Sequence, residues 1–535
     1  MQVRVFHGGP VLTIDPAGTL ASAVAVADGK IVAVGGEDVV EPYLKDADEV
    51  VDLNGRLLMP GFIDAHVHPV AGGLERIRCD LSEVAADQYA DVIAAYIKEH
   101  PEREWVLGGG WSMEAFPGGR PTRDHLDAVV GNQPALLPNR DHHSAWASSR
   151  ALELAGIDKH TPDPVDGRIE RDADGVPTGL LHEGAMDLLK AIVPQDAPED
   201  FTEALRAGQK HLHSLGIVGW LDALVDESTH EAYLKADREG WLTAKVSGAL
   251  WWDRDCPPER IHEQVARLKM MQGGSRYRTP IVKVMQDGVI ETFTAAMMHP
   301  YLDPCGHPTT NRGLRFLEPQ QLKAVTKALD EAGFAVHFHA IGDQAIRDVL
   351  DAVEGTQGTR HQIAHVQVVH PDDVPRFHRL RVTANLQALW ATHEPQLDEL
   401  TLPFIGEERN RWLYPFGDLY RTGAPLAMGS DWPVSTPDPM AAIHVAVNRI
   451  SALAPAGTPP LGPEQALPLA VALRAYTAGS AAASQLDRRS GTIAVGYDAD
   501  LVVLDRNPFE HPHTELADTR VDRTYAEGVE VHRAD

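Results

Sequence analysis

Short apolar runs broken by Gly and Asp open the chain. Residues 3–6, 23–27 and 31–34 are largely apolar, and Asp28-Gly29 between the last two is a hairpin signal. The far end has the same texture, with β-rich pieces at 492–495, 501–504 and 529–532 punctuated by Gly491, Gly496, Asp498, Asp500 and Gly528. Both ends therefore predict strands of one small β domain, residues 1–60 plus 488–535, with a catalytic unit at 61–487 inserted between them.

The period changes in the middle. Apolar, strand-like runs at 281–285, 335–338, 363–369, 382–386 and 425–428 alternate with segments of helical period. In 318–332, for example, Leu322, Val325 and Leu329 fall three and four apart, which predicts an amphipathic helix. Strand–helix alternation predicts an α/β fold around a parallel sheet, open or closed into a barrel. Residues 79–200 break the pattern with Gly, Pro, Asp and Trp, and are expected to form an insertion after the first barrel strand.

Composition narrows the function classes. A chain of 535 residues with 43% hydrophobic content has room for one large domain and a smaller companion. Its formal charge of -29 repels phosphate backbones and anionic lipid, so neither nucleic acid nor a membrane is an expected partner; a small-molecule substrate is. Homo-oligomerisation stays open. Cys79, Cys256 and Cys305 are far apart and in no CxxC pattern, which argues against a disulfide framework and a thiolate zinc site. With no charged leader and no apolar run of ~18 residues, a cytoplasmic enzyme is expected.

The chemistry lies at the ends of the apolar runs. His66 and His68 are two apart in Gly61-Phe62-Ile63-Asp64-Ala65-His66-Val67-His68, so in a strand they face the same side and their imidazoles can share a cation. His339, in Val336-His337-Phe338-His339-Ala340-Ile341-Gly342-Asp343, and His365, in Gln362-Ile363-Ala364-His365, sit where apolar strands finish. His337 shares a face with His339 and competes with it as a ligand or as a ligand's partner. Asp431 follows Met428-Gly429-Ser430 and is either a helix N-cap or a ligand. Lys283 interrupts an apolar strand; a buried ammonium there must reach solvent, pair, or change chemically, and carboxylation by CO₂ would convert it into an anionic ligand able to bridge two metals.

Together, HVH, the strand lysine, the His of HAIGD, the His of IAH and the Asp of GSDWP resemble the amidohydrolase superfamily, and within it the branch that contains N-substituted formamide deformylase. Gly55-Arg56-Leu57-Leu58-Met59-Pro60, Leu180-Leu181-His182-Glu183-Gly184, Asp287-Gly288, Tyr476-Thr477 and Gly496-Tyr497-Asp498-Ala499-Asp500 extend the resemblance nearly end to end. It implies a (β/α)₈ TIM-like barrel beside a β-sandwich built from both termini. It also implies that His66, His68 and Asp431 hold one metal, that His339 and His365 hold a second, and that carboxylated Lys283 bridges them.

A histidine and carboxylate set without thiolates suits zinc, as one or two ions. The expected reaction is attack of metal-activated hydroxide on a carbonyl carbon, with Asp431 as general acid/base, to cleave the carbon–nitrogen bond of an amide, N-formyl or cyclic amide substrate. Ester, lactone or organophosphate hydrolysis at the same centre is an alternative. So is a small-molecule-binding protein with a vestigial metal site. Trp111, His143, Glu183, Gln387 and Trp432 are the expected substrate contacts, and Trp146 and Trp390 lie near the same motifs. No GxSxG, GxGxxG or P-loop pattern is present, which removes the usual serine, dinucleotide and ATP chemistries.

Overall fold

The computed structural model describes residues 2–82, 84–357 and 360–534. Eight parallel strands form its central sheet. They are β1 (Phe62–Val67), β2 (Ile217–Val225), β3 (Lys245–Trp251), β4 (Tyr277–Met285), β5 (Ala335–Ala340), β6 (Gln362–His365), β7 (Thr383–Leu386) and β8 (Leu426–Met428). They are hydrogen-bonded in chain order, β1 to β8. Helices return the chain between strands, among them Pro319–Glu331 at the predicted amphipathic segment. This is the expected TIM-like barrel.

Strand alternation explains how the barrel fills itself. Val282, Val284, Val336, Phe338 and Ile363 pack with the helix residues Leu322, Val325, Leu329, Ile346 and Val349 in the main core. Leu221, Ala223, Ala249, Ile281 and Ala335 form a separate small cluster, the plug inside the barrel. Lys283 lies two residues beyond Ile281, and His337 two beyond Ala335, so both continue the inward face. Lys283 pairs in register with His337, and Met285 with His339.

Both termini build two further sheets. Lys30–Gly35, Ala23–Ala27, Val3–His7 and Glu49–Asp52 make one, in that order. The other runs Val529–Arg533, Val521–Ala526, Leu501–Leu504, Leu57–Pro60, Val11–Leu12 and Leu20–Ala21. Phe6, Val24, Val26 and Val51 from the first meet Leu58, Leu501, Val503 and Tyr525 from the second in a common core. Residues 492–495 form no strand, contrary to expectation. They lie between Gly491 and Gly496, both with positive φ, and Ile493 is tied by its N–H to the Thr13 carbonyl.

The irregular stretch after β1 is more ordered than its sequence pattern foretells. It carries a six-stranded mixed sheet: Gly167–Arg171, Pro177–Glu183, Ser144–Ala147, Ala135–Pro138, Val106–Gly109 and Cys79–Asp80. A helix that we call α1, Pro69–Arg76, leads from β1 into it. Among the described residues no helix is long and apolar enough to cross a membrane.

Candidate metal centre

The centre forms at the seam where the first barrel strand meets the last. β1 and β8 do not share a ladder of hydrogen bonds. Instead the Asp431 N–H donates to the His66 carbonyl at 2.7 Å. Asp64, fully buried, accepts from the N–H groups of His66 (3.0 Å) and Ser430 (3.0 Å) through the same oxygen. Gly429 is needed in this seam, since a Cβ there would stand 2.4 Å from the His66 nitrogen.

Asp431 is the hub. Its Oδ1 lies 3.2 Å from His66 Nε2 and 3.0 Å from His68 Nε2, and its Oδ2 lies 3.8 Å from His365 Nδ1. Donor atoms of His66, His365 and Asp431 all fall within 4.8 Å of one another. An ion about 2.0–2.1 Å from each ligand puts tetrahedral neighbours roughly 3.4 Å apart, so these spacings suit a small divalent cation. Asp431 Oδ1 and His365 Nδ1 are buried with no hydrogen-bond partner, an arrangement that a cation resolves. His365, expected at a second metal, is thus gathered with His66 and Asp431. Its ring also lies 4.5 Å from that of His339, so it faces both groups.

Backbone strain marks the same places. Asp431 has φ +57°, His365 +77° and Val366 +47°, a region that β-branched residues avoid. The turn at 365–366 explains why β6 ends at His365 and does not continue through the apolar run to residue 369. Gln387 fixes this turn. Its Oε1 accepts the His365 N–H at 2.7 Å, and its Nε2 donates to Asn385 Oδ1 at 3.1 Å.

The surrounding groups select which nitrogen would face an ion. His337 Nε2 is 2.8 Å from His66 Nδ1, so His337 supports His66 from behind and leaves its Nε2 toward Asp431. His339 Nδ1 is 3.3 Å from Asp287 Oδ1. Asp287 is anchored by N–H donors from Ile341, Gly342 and Ala296 at 2.9–3.1 Å. Burial sets the charge states. It pushes His66 down to about 3 and keeps His339 and His365 well below the usual imidazole value, the neutral form a ligand requires. Burial also lowers Lys283 to about 8 and raises Asp64 and Asp287 to about 7. Lys283 makes no hydrogen bond among the described residues, and the Asp431 carboxylate is the charge that most favours its ammonium form.

A cavity of about 360 Å³ opens beside the centre. Trp390, stacked on His365 at 5.3 Å, and Trp432, next to Asp431, form part of its wall. His143 Nδ1 is 2.9 Å from Glu183 Oε1, which also accepts from Thr294 Oγ1 at 2.8 Å, and the His143 ring is 5.4 Å from that of His339. Burial pulls His143 down, but the Glu183 carboxylate outweighs it and lifts the imidazole to about 9. Of the five expected substrate contacts Trp432 alone lines the cavity; His143 and Glu183 sit beside His339, and Trp111 and Gln387 are placed elsewhere. Trp111 is fully buried in the core of the inserted sheet, with its indole N–H on the Leu137 carbonyl, and packs against Trp146. Gln387 uses both ends of its amide inside the barrel, and neither residue lines the cavity.

Asp64, Asp287, Glu75 and His142 escape the reading of strand ends. A carboxylate two residues before His66 on an apolar strand is the available signal for Asp64, and the Asp287-Gly288 motif for Asp287; Glu75 and His142 declare themselves only through partners distant in sequence. A second group of donors, Asp303, Cys305 and His307, sits on an exposed turn whose Asp303 Oδ1 accepts the N–H of Cys305 and of His307, which accounts for their proximity.

Known proteins give the same picture. The model of the family described as "Amidohydrolase family" matches residues 49–532. The N-substituted formamide deformylase of Arthrobacter pascens is 30% identical over 549 residues, covering 97% of this chain and 96% of that protein. The protein LONG AFTER FAR-RED 3 of Arabidopsis thaliana is 30% identical over 545 residues, 98% of this chain and 90% of that one. Among solved structures, an uncharacterized metal-dependent hydrolase from Pyrococcus horikoshii superposes with a TM-score of 0.76 at 26% identity, covering 96% of this chain and 99% of that one.

Proposed function

This chain belongs to the amidohydrolase family of metal-dependent hydrolases, and on that premise we propose that it cleaves a carbon–nitrogen bond, other than a peptide bond, in a small amide, N-formyl or cyclic amide. The observation that carries the reading is the convergence of His66, His68 and His365 on Asp431, with buried donor atoms left unsatisfied, beside a cavity of small-molecule size. Similarity to an N-substituted formamide deformylase supports the choice of bond.

His66, His68, His365 and Asp431 would hold the ion, with His339 and Lys283 available to a second. A divalent ion there, zinc by ligand type, supplies Lewis acidity and lowers the pKa of bound water toward ~7. Asp431 accepts the proton of the attacking water. Lys283, an unpartnered amine lowered to about 8, keeps an appreciable neutral fraction for reaction with CO₂, and its carbamate would supply the missing anion between the two halves of the site. His143, with Glu183, lies beside His339 and orients the substrate carbonyl, and Trp432 packs the substrate against the cavity wall.

The test is a panel of N-formyl, N-acyl and cyclic amides, with esters and lactones alongside, assayed with zinc-loaded protein of measured metal content. Turnover of amides that falls ~10²-fold or more in Asp431→Asn, with metal retained, is expected. Turnover confined to esters or lactones would replace the amide reading.

A further inference from the structure

A histidine–carboxylate pair outside the metal set reaches the same cavity through its carboxylate, Glu75, and through Asp141 beside the histidine. Glu75 is buried near the end of α1, the helix that begins directly after His68. Its Oε1 lies 3.0 Å from His142 Nε2. Both atoms are shut off from solvent and neither meets hydrogen-bond geometry with any group, so the contact between them is a charge pairing. A Cβ at Gly109 would come within 3.6 Å of Glu75 Oε1, so the inserted sheet roofs the pair closely.

His142 occupies a conformation that favours glycine, φ +62°. A tight loop holds it there. The His142 N–H donates to the Asn139 carbonyl at 3.0 Å, and Asp141 Oδ1 accepts the His143 N–H at 2.9 Å. Glycine would satisfy this loop without strain; the imidazole is what the strain retains. With Nε2 turned to Glu75, Nδ1 is the free nitrogen and makes no hydrogen bond among the described residues. The side chain is 36% exposed, on the stretch where Glu75, Arg140 and Asp141 line the cavity. Burial disfavours the imidazolium, but Glu75 first, then Asp141 and Asp431, favour it, and the net displacement is upward.

We propose that His142, oriented by Glu75, donates the proton that the departing nitrogen requires. The inference rests on the amide reading above. When the carbon–nitrogen bond breaks, its electron pair stays on nitrogen, which takes the proton from Nδ1. The ring is left neutral, its Nε2–H still turned to Glu75, and recovers a proton from solvent. Asp431 and His142 then divide the work, one accepting the proton of water and the other supplying the amine. His142 is the catalytic residue of the pair and Glu75 its positioning residue.

The experiment uses the zinc-loaded full chain and a series of N-formyl amines whose leaving amines run from 4-nitroaniline through aniline to simple alkylamines. A weakly basic amine leaves without help, whereas an alkylamine must be protonated. In His142→Gly, kcat/KM should fall ~10²–10⁴-fold for alkylamine substrates. It should fall by less than ~10-fold for the nitroanilide, so that dependence on amine basicity steepens while KM changes little. Glu75→Gln should steepen it in the same direction by a smaller amount. Glycine relieves the backbone at 142 but leaves buried Glu75 unpaired, so the thermal midpoint of His142→Gly should fall and Glu75→Gln in the same chain should restore it. A loss uniform across the series, or no loss, overturns the proton-donor role while leaving the amide reading intact. If the unaltered enzyme turns over no amide, both fall together.

Discussion

Asp287→Asn separates holding the metal from holding the fold. Asp287 is fully buried and accepts the N–H groups of Ile341, Gly342 and Ala296, while its Oδ1 faces His339 Nδ1 at 3.3 Å. A carboxylate oxygen at that distance favours the tautomer with its proton on Nδ1, which would leave Nε2 for an ion, although the pair falls short of hydrogen-bond geometry. Gly342 and Ala296 both use Oδ2, so an asparagine oxygen is best spent there and its NH₂ turns to the Oδ1 side. The NH₂ then meets the Ile341 N–H, which loses its acceptor, at a cost of about 1–3 kcal/mol. Neutralising the group adds little, because burial already raises Asp287 to about 7 and its uncharged form is accessible at neutral pH. The amide also donates to His339 Nδ1, which moves the ring proton to Nε2 and blocks ligation. Such supporting groups are worth about 10–100-fold in metal affinity, or roughly 1.4–2.7 kcal/mol. Urea unfolding of the metal-free protein and a zinc titration against a competing chelator measure the two effects separately. Zinc affinity within threefold of the parent would refute the orienting role of Asp287, whatever happens to stability.

Two further perturbations test the supports of the site. In the folded chain His143 is raised from 6.5 to about 9 by Glu183, so the pair contributes stability that is fully present below pH ~6.5 and is lost as pH rises through about 9. In Glu183→Gln burial dominates and the His143 midpoint, followed by NMR, should drop below 6.5; a midpoint still near 9 would assign the shift to another group. At the opposite end of the barrel, buried Lys245 on β3 lies 2.6 Å from Asp500, 3.2 Å from Asp498 and 3.3 Å from Glu527 of the terminal segment. Lys245→Met strands those carboxylates and should lower unfolding free energy by about 3–5 kcal/mol. A loss under ~1 kcal/mol would mean that water or Arg489, 2.8 Å from Asp498, replaces the ammonium.

The strand ends were legible because a parallel barrel needs apolar strands, and a polar residue at the end of one has to be explained. His66, His68, Lys283, His339 and His365 stand out on that ground, and the structure places them in one inward-facing neighbourhood with Asp431. The inserted sheet was not legible. Its strands are short, as at Cys79–Asp80 and Val106–Gly109, and carry Gly and Pro, so neither period emerges. Trp111 and Gln387 show another limit, since nearness in sequence to a motif does not say whether a side chain faces cavity or core. His142 shows a third, because what singles it out is a positive φ and a partner on a distant helix.

The seam gives the centre a property that a list of ligands lacks. β1 and β8 are joined by the Asp431 N–H on the His66 carbonyl and by the Asp64 carboxylate on the His66 and Ser430 N–H groups. The residues that close the barrel and those that would hold the ion are thus the same or adjacent. Asp64 is raised to about 7 by burial, its ionised form being opposed by Asp431 as well. A cation at His66 and Asp431 offsets that repulsion, favours ionised Asp64 and strengthens the backbone hydrogen bonds it accepts. Occupancy of the centre and closure of the barrel would therefore reinforce one another, and loss of a bound ion would loosen the seam between β1 and β8.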